Sequence, residues 1–297
     1  MHNRAVVEEN TAADAPIVLV NGFYHGSWAW TEVIAELAAR GRAAVALDLA
    51  AHGLHAVAPG SATRRPFDAD AFATEPSPVA GIGLDAAADL LIGRIEAIGG
   101  GRLPVVAHSM GGAVLTRAAE REPRLFAHLY YLAAYMPASD TPCLVYPSLP
   151  EGRSNRFMPL LVGDPESTGA LRIDPGNPDP EVQKAIREAF YGDVEERKAA
   201  AAIALLSCDA PVAMVVESTT LTGSGWGSVP RTYILCTQDR TIPVELQTLF
   251  VSQADAAFPG NPTRVFGLTT AHSAFLSAPD QVADVITDSP GAFRGIP

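Results

Sequence analysis

Pro104-Val105-Val106-Ala107-His108-Ser109-Met110-Gly111-Gly112 decides how this chain is read. An apolar run breaks into His-Ser-Met-Gly-Gly, and helical spacing resumes over Ala113-Val114-Leu115-Thr116-Arg117-Ala118-Ala119. That pattern predicts a strand, a very tight turn and a helix, with Ser109 at the apex. The spacing is that of the nucleophile elbow G-x-S-x-G, with Ala107 at the first glycine position. A residue at such an apex holds a strained backbone, so its neighbours two positions away must be small. Ala107 and Gly111 both are. The geometry lifts the hydroxyl off the sheet and aims a helix N-terminus at developing negative charge. A plain strand-to-helix turn is the alternative, and the intact flanking patterns favour the nucleophile.

Composition removes other classes. A chain of 297 residues can bury a large core as one α/β domain, with or without an insertion. Its 48% hydrophobic and 18% charged residues are those of a folded globule rather than a disordered chain. A formal net charge of −12 repels nucleic-acid phosphates, so no nucleic acid is expected as a partner. Cys143, Cys208 and Cys236 are scattered and lack metal-ligand spacing, so they read as reduced structural thiols, with no metal and no cofactor expected. The N-terminal MHNRAVVEENTAADAP carries acids and no apolar core of a secretory signal. No apolar stretch is long enough to span a bilayer. These features predict a soluble, cytoplasmic protein with no membrane partner.

The apolar run Ile17–Val20 ends in Asn21-Gly22, the pattern of a buried strand. A helix is predicted over Trp30–Arg40, stopping at Gly41, and a second buried strand over Ala43–Leu49. Residues 54–83, rich in Pro, Gly and Ser, read as a surface excursion. Leu84–Ile98 is strongly helical and is followed by Gly99-Gly100-Gly101, then the elbow, then a strand over His128–Ala133. This alternation predicts a mainly parallel sheet with helices on both faces. Prolines crowd residues 137–180, after which helices are expected at Glu181–Phe190 and Val194–Leu206. Strands return at Arg231–Cys236 and Thr263–Gly267. The simplest organisation is a core over 1–136 and 229–297, interrupted by a cap at 137–228 with too few apolar runs to form a sheet of its own.

A nucleophilic serine needs a base and a group to orient it, and on this elbow the order is serine, acid, histidine. Asp239 lies just past a strand end in Cys236-Thr237-Gln238-Asp239-Arg240, and His272 follows the last strand in Thr270-Ala271-His272-Ser273. Both sit where ligands of α/β sheets collect. The bland alternatives are a helix cap or surface acid paired with Arg240 for Asp239, and a surface loop residue for His272. Two backbone amides must face the oxyanion: Met110, after the nucleophile, and Phe23, in the turn Asn21-Gly22-Phe23-Tyr24. His25, next to that turn, and Tyr24 are candidate substrate contacts. His2, His52, His55, His108 and His128 read as structural or tail residues. Tyr146, Phe157, Phe190, Tyr191 and Trp226, with Phe23 and Tyr24, suggest a largely apolar pocket.

The chain resembles the α/β-hydrolases, and within them the small branch of plant methyl-ester esterases, α-hydroxynitrile lyases and bacterial relatives. The resemblance rests on Val20-Asn21-Gly22-x-x-His25-Gly26-x-Trp28-x-Trp30, Asp48-Leu49-Ala50-Ala51-His52-Gly53, the elbow, Thr237-Gln238-Asp239-Arg240-Thr241-Ile242-Pro243 and Ala271-His272-Ser273. It implies an α/β-hydrolase fold with an inserted cap, Ser109 as nucleophile, Asp239 as acid, His272 as base, and the Phe23 and Met110 amides as oxyanion hole. Asn21 and Ala107 depart from the family's usual histidine and glycine, and neither removes a triad group. Lyases of this branch typically carry threonine at the position of Gly22 and lysine at that of Ser273, and both markers are absent. The expected activity is hydrolysis of a small-molecule carboxylic ester, with homodimerisation left open. The alternatives are a hydroxynitrile-type lyase and a non-hydrolytic biosynthetic accessory or ligand-binding protein.

Overall fold

The computed structural model describes residues 15–99 and 101–287. The N-terminal segment read for a signal, including His2, and Gly100 of the glycine turn lie outside the described residues. The strands are β1 (Ile17–Val20), β2 (Ala44–Leu47), β3 (Leu103–His108), β4 (Phe126–Leu132), β5 (Ala170–Arg172), β6 (Asp209–Pro211), β7 (Arg231–Cys236) and β8 (Arg264–Leu268). Six form one sheet in the order β2-β1-β3-β4-β7-β8, and every pair is parallel. All residues of β1, β3 and β7 are buried, as interior strands of a parallel sheet covered on both faces are.

The longer helices are α1 (Thr31–Ala39), α2 (Leu84–Ile98), α3 (Gly111–Arg121), α4 (Pro180–Phe190), α5 (Glu196–Ala204), α6 (Val244–Ala257) and α7 (Pro279–Thr287). Chain direction sets their faces. The step from β1 through α1 to β2 runs toward one edge, whereas β2 through α2 to β3, and β3 through α3 to β4, run toward the other. Right-handed crossovers then place α1 on one face and α2 and α3 on the opposite one. The packing agrees: α1 rests on α7, and α2 on α3. The direction reverses between β1 and β3, which opens a crevice beyond their carboxyl ends.

Two expectations need correction. The strand over Ala43–Leu49 is not buried: β2 is an edge strand, with Val45 exposed. A short apolar run reads alike at the edge and in the middle of a sheet, because neighbours decide which it is. The insertion between β4 and β7 also has a sheet of its own, the antiparallel pair β5–β6, with Arg172 opposite Asp209. Strands of three residues leave no apolar run to read. This pair is closed by a polar contact: Arg172 Nε and Nη2 donate to the two oxygens of Asp209 at 2.6 and 2.7 Å, both side chains buried. Arg172 Nη1 also donates to the carbonyls of Phe72 and Glu75, tying the 54–83 excursion to the insertion. Among the described residues no helix is long and apolar enough to cross a membrane.

Removing one partner of a buried ion pair strands the other charge. Arg172→Met is therefore expected to cost about 3–5 kcal/mol in urea unfolding, with Arg172→Met/Asp209→Leu regaining most of it. A single variant as stable as the parent would show that the pair does not hold these segments.

Candidate active site

Beyond β3 the chain turns at Ser109, whose φ of +53° lies in the left-handed region that side chains avoid. Three backbone bonds hold it there: Ser109 N–H to Leu132 O at 3.3 Å, and Gly112 and Tyr135 N–H to Ser109 O, each at 3.0 Å. The surroundings leave no room for side chains. A Cβ on Gly22 would stand 2.5 Å from Ser109 Cβ, and one on Gly111 would stand 2.5 Å from the Asn21 carbonyl. Asn21 fastens the turn after β1. Its Nδ2 donates to the Gly22 and His25 carbonyls at 2.8 and 2.6 Å, and its Oδ1 accepts from Leu49 N–H at 3.1 Å. Phe23 and Met110 line one pocket with Ser109, and among the described residues neither of their amides donates a hydrogen bond.

The turns after β7 and β8 bring Asp239 against His272. His272 Nδ1 donates to Asp239 Oδ2 at 2.8 Å, and both side chains are buried. Asp239 Oδ1 accepts from the amides of Thr241 and Ile242 at 2.7 and 2.9 Å, and Oδ2 also takes Gln247 Nε2 at 3.3 Å. Asp239 is thus no surface partner of Arg240, whose side chain is 58% exposed beside Glu188. Gln247 of α6 escaped the sequence reading. Buried, it exchanges hydrogen bonds with both the N–H and carbonyl of Cys236 and donates to the Ile242 carbonyl at 2.7 Å. A glutamine inside an amphipathic helix gives no local sign of such a task. The insertion grips the same turn: Arg156 N–H donates to Arg240 O, Asn155 Nδ2 to Thr241 O, and Thr241 Oγ1 to Ala189 O.

Ser109 and His272 line one pocket with Phe23, Tyr24, Met110, Tyr135, Phe157, Leu171, Phe190, Val215 and Thr241. Its free volume is about 50 Å³. A larger depression, about 760 Å³, is lined by Lys184, Arg187, Glu188 and Arg240 and does not reach Ser109. Of the aromatics expected in the pocket, Phe157 and Phe190 line it and three others do not. Tyr146 packs on Phe250, Tyr191 bonds to His25, and Trp226 donates to Tyr131 beneath Arg231. Tyr135, Leu171 and Val215 are lining residues that sequence reasoning missed.

Tyr24 lines the pocket, but its hydroxyl is committed to the Leu171 carbonyl at 2.9 Å. His25 does not line it, which corrects its reading as a substrate contact. Its Nδ1 donates to the Phe23 carbonyl and its Nε2 accepts from Tyr191 O–H, both at 2.8 Å, so the ring braces the turn from behind. Burial pushes its pKa down to about 4. His52, whose Nδ1 accepts the Tyr24 amide at 3.3 Å, is pushed down by burial to about 3. His108 donates from Nε2 to the His272 carbonyl at 3.0 Å, and burial likewise depresses it. Neutral imidazoles therefore brace the turns around Ser109.

Sheet order, elbow and a buried Asp–His pair beyond the strand ends define an α/β hydrolase. Residues 17–285 match the alpha/beta hydrolase family, and the chain belongs to it. Esterase PIR7B of Oryza sativa subsp. japonica is 28% identical over 287 residues, covering 94% of this chain and 97% of its own. Methylesterase 7 of Arabidopsis thaliana is 26% identical, covering 77% of this chain and 80% of its own. A crystallised pyrethroid hydrolase shares the fold, with a TM-score of 0.72 at 22% identity over 92% of this chain and 96% of its own.

The buried histidines set an acid limit on stability. Below about pH 6.5 the unfolded chain takes up protons that folded His25 and His52 refuse. Stability is therefore expected to fall as the pH drops from about 6.5 toward 4, by about 1.4 kcal/mol per pH unit per histidine. Urea midpoints across that range test this, and a flatter slope is expected for His52→Asn. A pH-independent midpoint would contradict it.

Proposed function

We propose that this chain is a serine carboxylic-ester hydrolase that cleaves a small or medium apolar ester through an acyl-enzyme. The observation that carries the proposal is that Ser109 and His272 line one pocket while Asp239 holds the far nitrogen of His272. In this reading His272 Nε2 takes the Ser109 proton as Oγ attacks the ester carbon. Asp239 keeps Nδ1 protonated and stabilises the imidazolium that forms. The Phe23 and Met110 amides receive the developing oxyanion, where fixed donors stabilise the transition state more than the ground state. His272 then passes the proton to the leaving alcohol, and water repeats the sequence on the acyl-serine.

The relatives named as esterases support this chemistry. The pocket lining disfavours the lyase, since it holds no lysine or arginine to receive a departing cyanide and Ser273 is neutral. A ligand-binding protein would not need an activated serine.

Ser109→Ala is expected to lower ester hydrolysis by about 10⁴-fold or more and to abolish labelling by a fluorophosphonate probe. Asp239→Asn should lower the rate on the order of 10⁴-fold by removing the charge behind the imidazole. Hydrolysis of p-nitrophenyl and methyl esters of graded size measures both effects, and wild-type turnover by the alanine variant would sink the assignment. Mandelonitrile separates the classes: negligible cyanide release is expected, and robust release would establish the lyase instead.

A further inference from the structure

The pocket wall is apolar or aromatic over most of its surface, with few polar atoms. Ser109 and His272 are engaged in the proposed reaction. The Tyr24 hydroxyl donates to the Leu171 carbonyl, and Thr241 Oγ1 donates to the Ala189 carbonyl at 2.8 Å. The hydroxyl of half-buried Tyr135 is different: among the described residues it has no hydrogen-bond partner. Nor is Tyr135 free to swing away. Its amide donates to the Ser109 carbonyl, and its ring packs against Phe250 and Tyr146, with centroids 5.5 and 6.4 Å away.

We propose that the Tyr135 hydroxyl is the specificity-determining donor of this pocket, selecting esters that carry an ether, hydroxyl or second carbonyl oxygen beside the scissile group. This rests on the esterase reading and adds the kind of ester to it. A wholly apolar substrate that fills the pocket drives water from this hydroxyl and leaves it unpaired, at a cost that an acceptor-bearing substrate avoids. Sites built around one hydrogen bond reject the analogue lacking it more strongly than apolar pockets reject a methylene. Burial also pushes the phenol pKa upward, so the group stays a neutral donor over the working range.

The test uses esters that differ by one atom. On the acyl side, p-nitrophenyl methoxyacetate is compared with p-nitrophenyl butyrate; on the alcohol side, 2-methoxyethyl with butyl esters of one acid. The quantity read is the ratio of kcat/KM for the oxygen-containing member to its carbon isostere, and its change in Tyr135→Phe, which cancels intrinsic reactivity. In at least one pair the ratio should fall on the order of 10- to 100-fold. An unchanged ratio in both pairs overturns the proposal, even if both rates drop together, since a packing role moves both members alike. Binding to Ser109→Ala, followed by ligand-observed NMR with the same uncleaved esters, provides a readout that does not need turnover. The oxygen-containing ester should bind more weakly once Tyr135→Phe is added, and equal binding also overturns the proposal. Absent hydrolysis and fluorophosphonate labelling in the parent protein would instead sink the esterase reading, leaving the binding measurement to decide on Tyr135.

Discussion

Two backbone turns meet with nothing between them, and the site depends on that approach. β1 and β3 are paired neighbours, so the chain leaves the sheet twice at one place. Gly22 faces the Ser109 Cβ, Gly111 faces the Asn21 carbonyl, and Gly112 faces the Tyr135 carbonyl, where an added Cβ would stand at 2.2 Å. Closeness at these points gathers Phe23 and Met110 into one pocket with a serine held at φ +53°. A methyl group on Gly22 or Gly111 would pry apart the strand ends that create the crevice, and one on Gly112 would push against the turn after β4.

The turns around that crevice are pinned by side chains, some their own and some from elsewhere, which limits the reorganisation needed during reaction. Asn21 and His25 hold carbonyls of the first turn, His108 holds the carbonyl of His272, and Gln247 reaches from α6 to the turn that carries Asp239. Buried and neutral, these groups act as fixed hydrogen-bonding struts that add no charge to the pocket wall.

Much of this was legible because it is local. The elbow could be read from nine consecutive residues, α2 matches its expected range Leu84–Ile98, and β7 matches Arg231–Cys236. Asp239 and His272 were reachable from chain order once the elbow was recognised, and the structure brings them together. What stayed hidden depends on partners distant in sequence. Nothing in Ala44–Leu47 says that β2 has a neighbour on one side only, and nothing in Ala170–Arg172 announces a strand until Asp209 is placed opposite. Aromatic residues were equally ambiguous: Phe190 and Tyr191 are adjacent in the chain, yet one lines the pocket and the other serves His25.

The insertion leaves the sheet after β4 and re-enters at β7, and these two strands are hydrogen-bonded neighbours. Because the two strands run parallel, it departs from the carboxyl end of β4 and returns at the amino end of β7, and exchanging the whole segment for one from another hydrolase that spans the same gap would leave the strand order untouched. The limit on such a chimera lies in the turn after β7, which Asn155, Arg156 and Ala189 all grip. A grafted segment lacking equivalents of those three bonds would leave the acid's turn unclamped, even with every strand in place. Those bonds act together with others that the insertion makes to the turns of the sheet, such as Tyr191 to His25 and the Leu171 carbonyl to Tyr24, so a graft must reproduce a docking surface as well as a sequence.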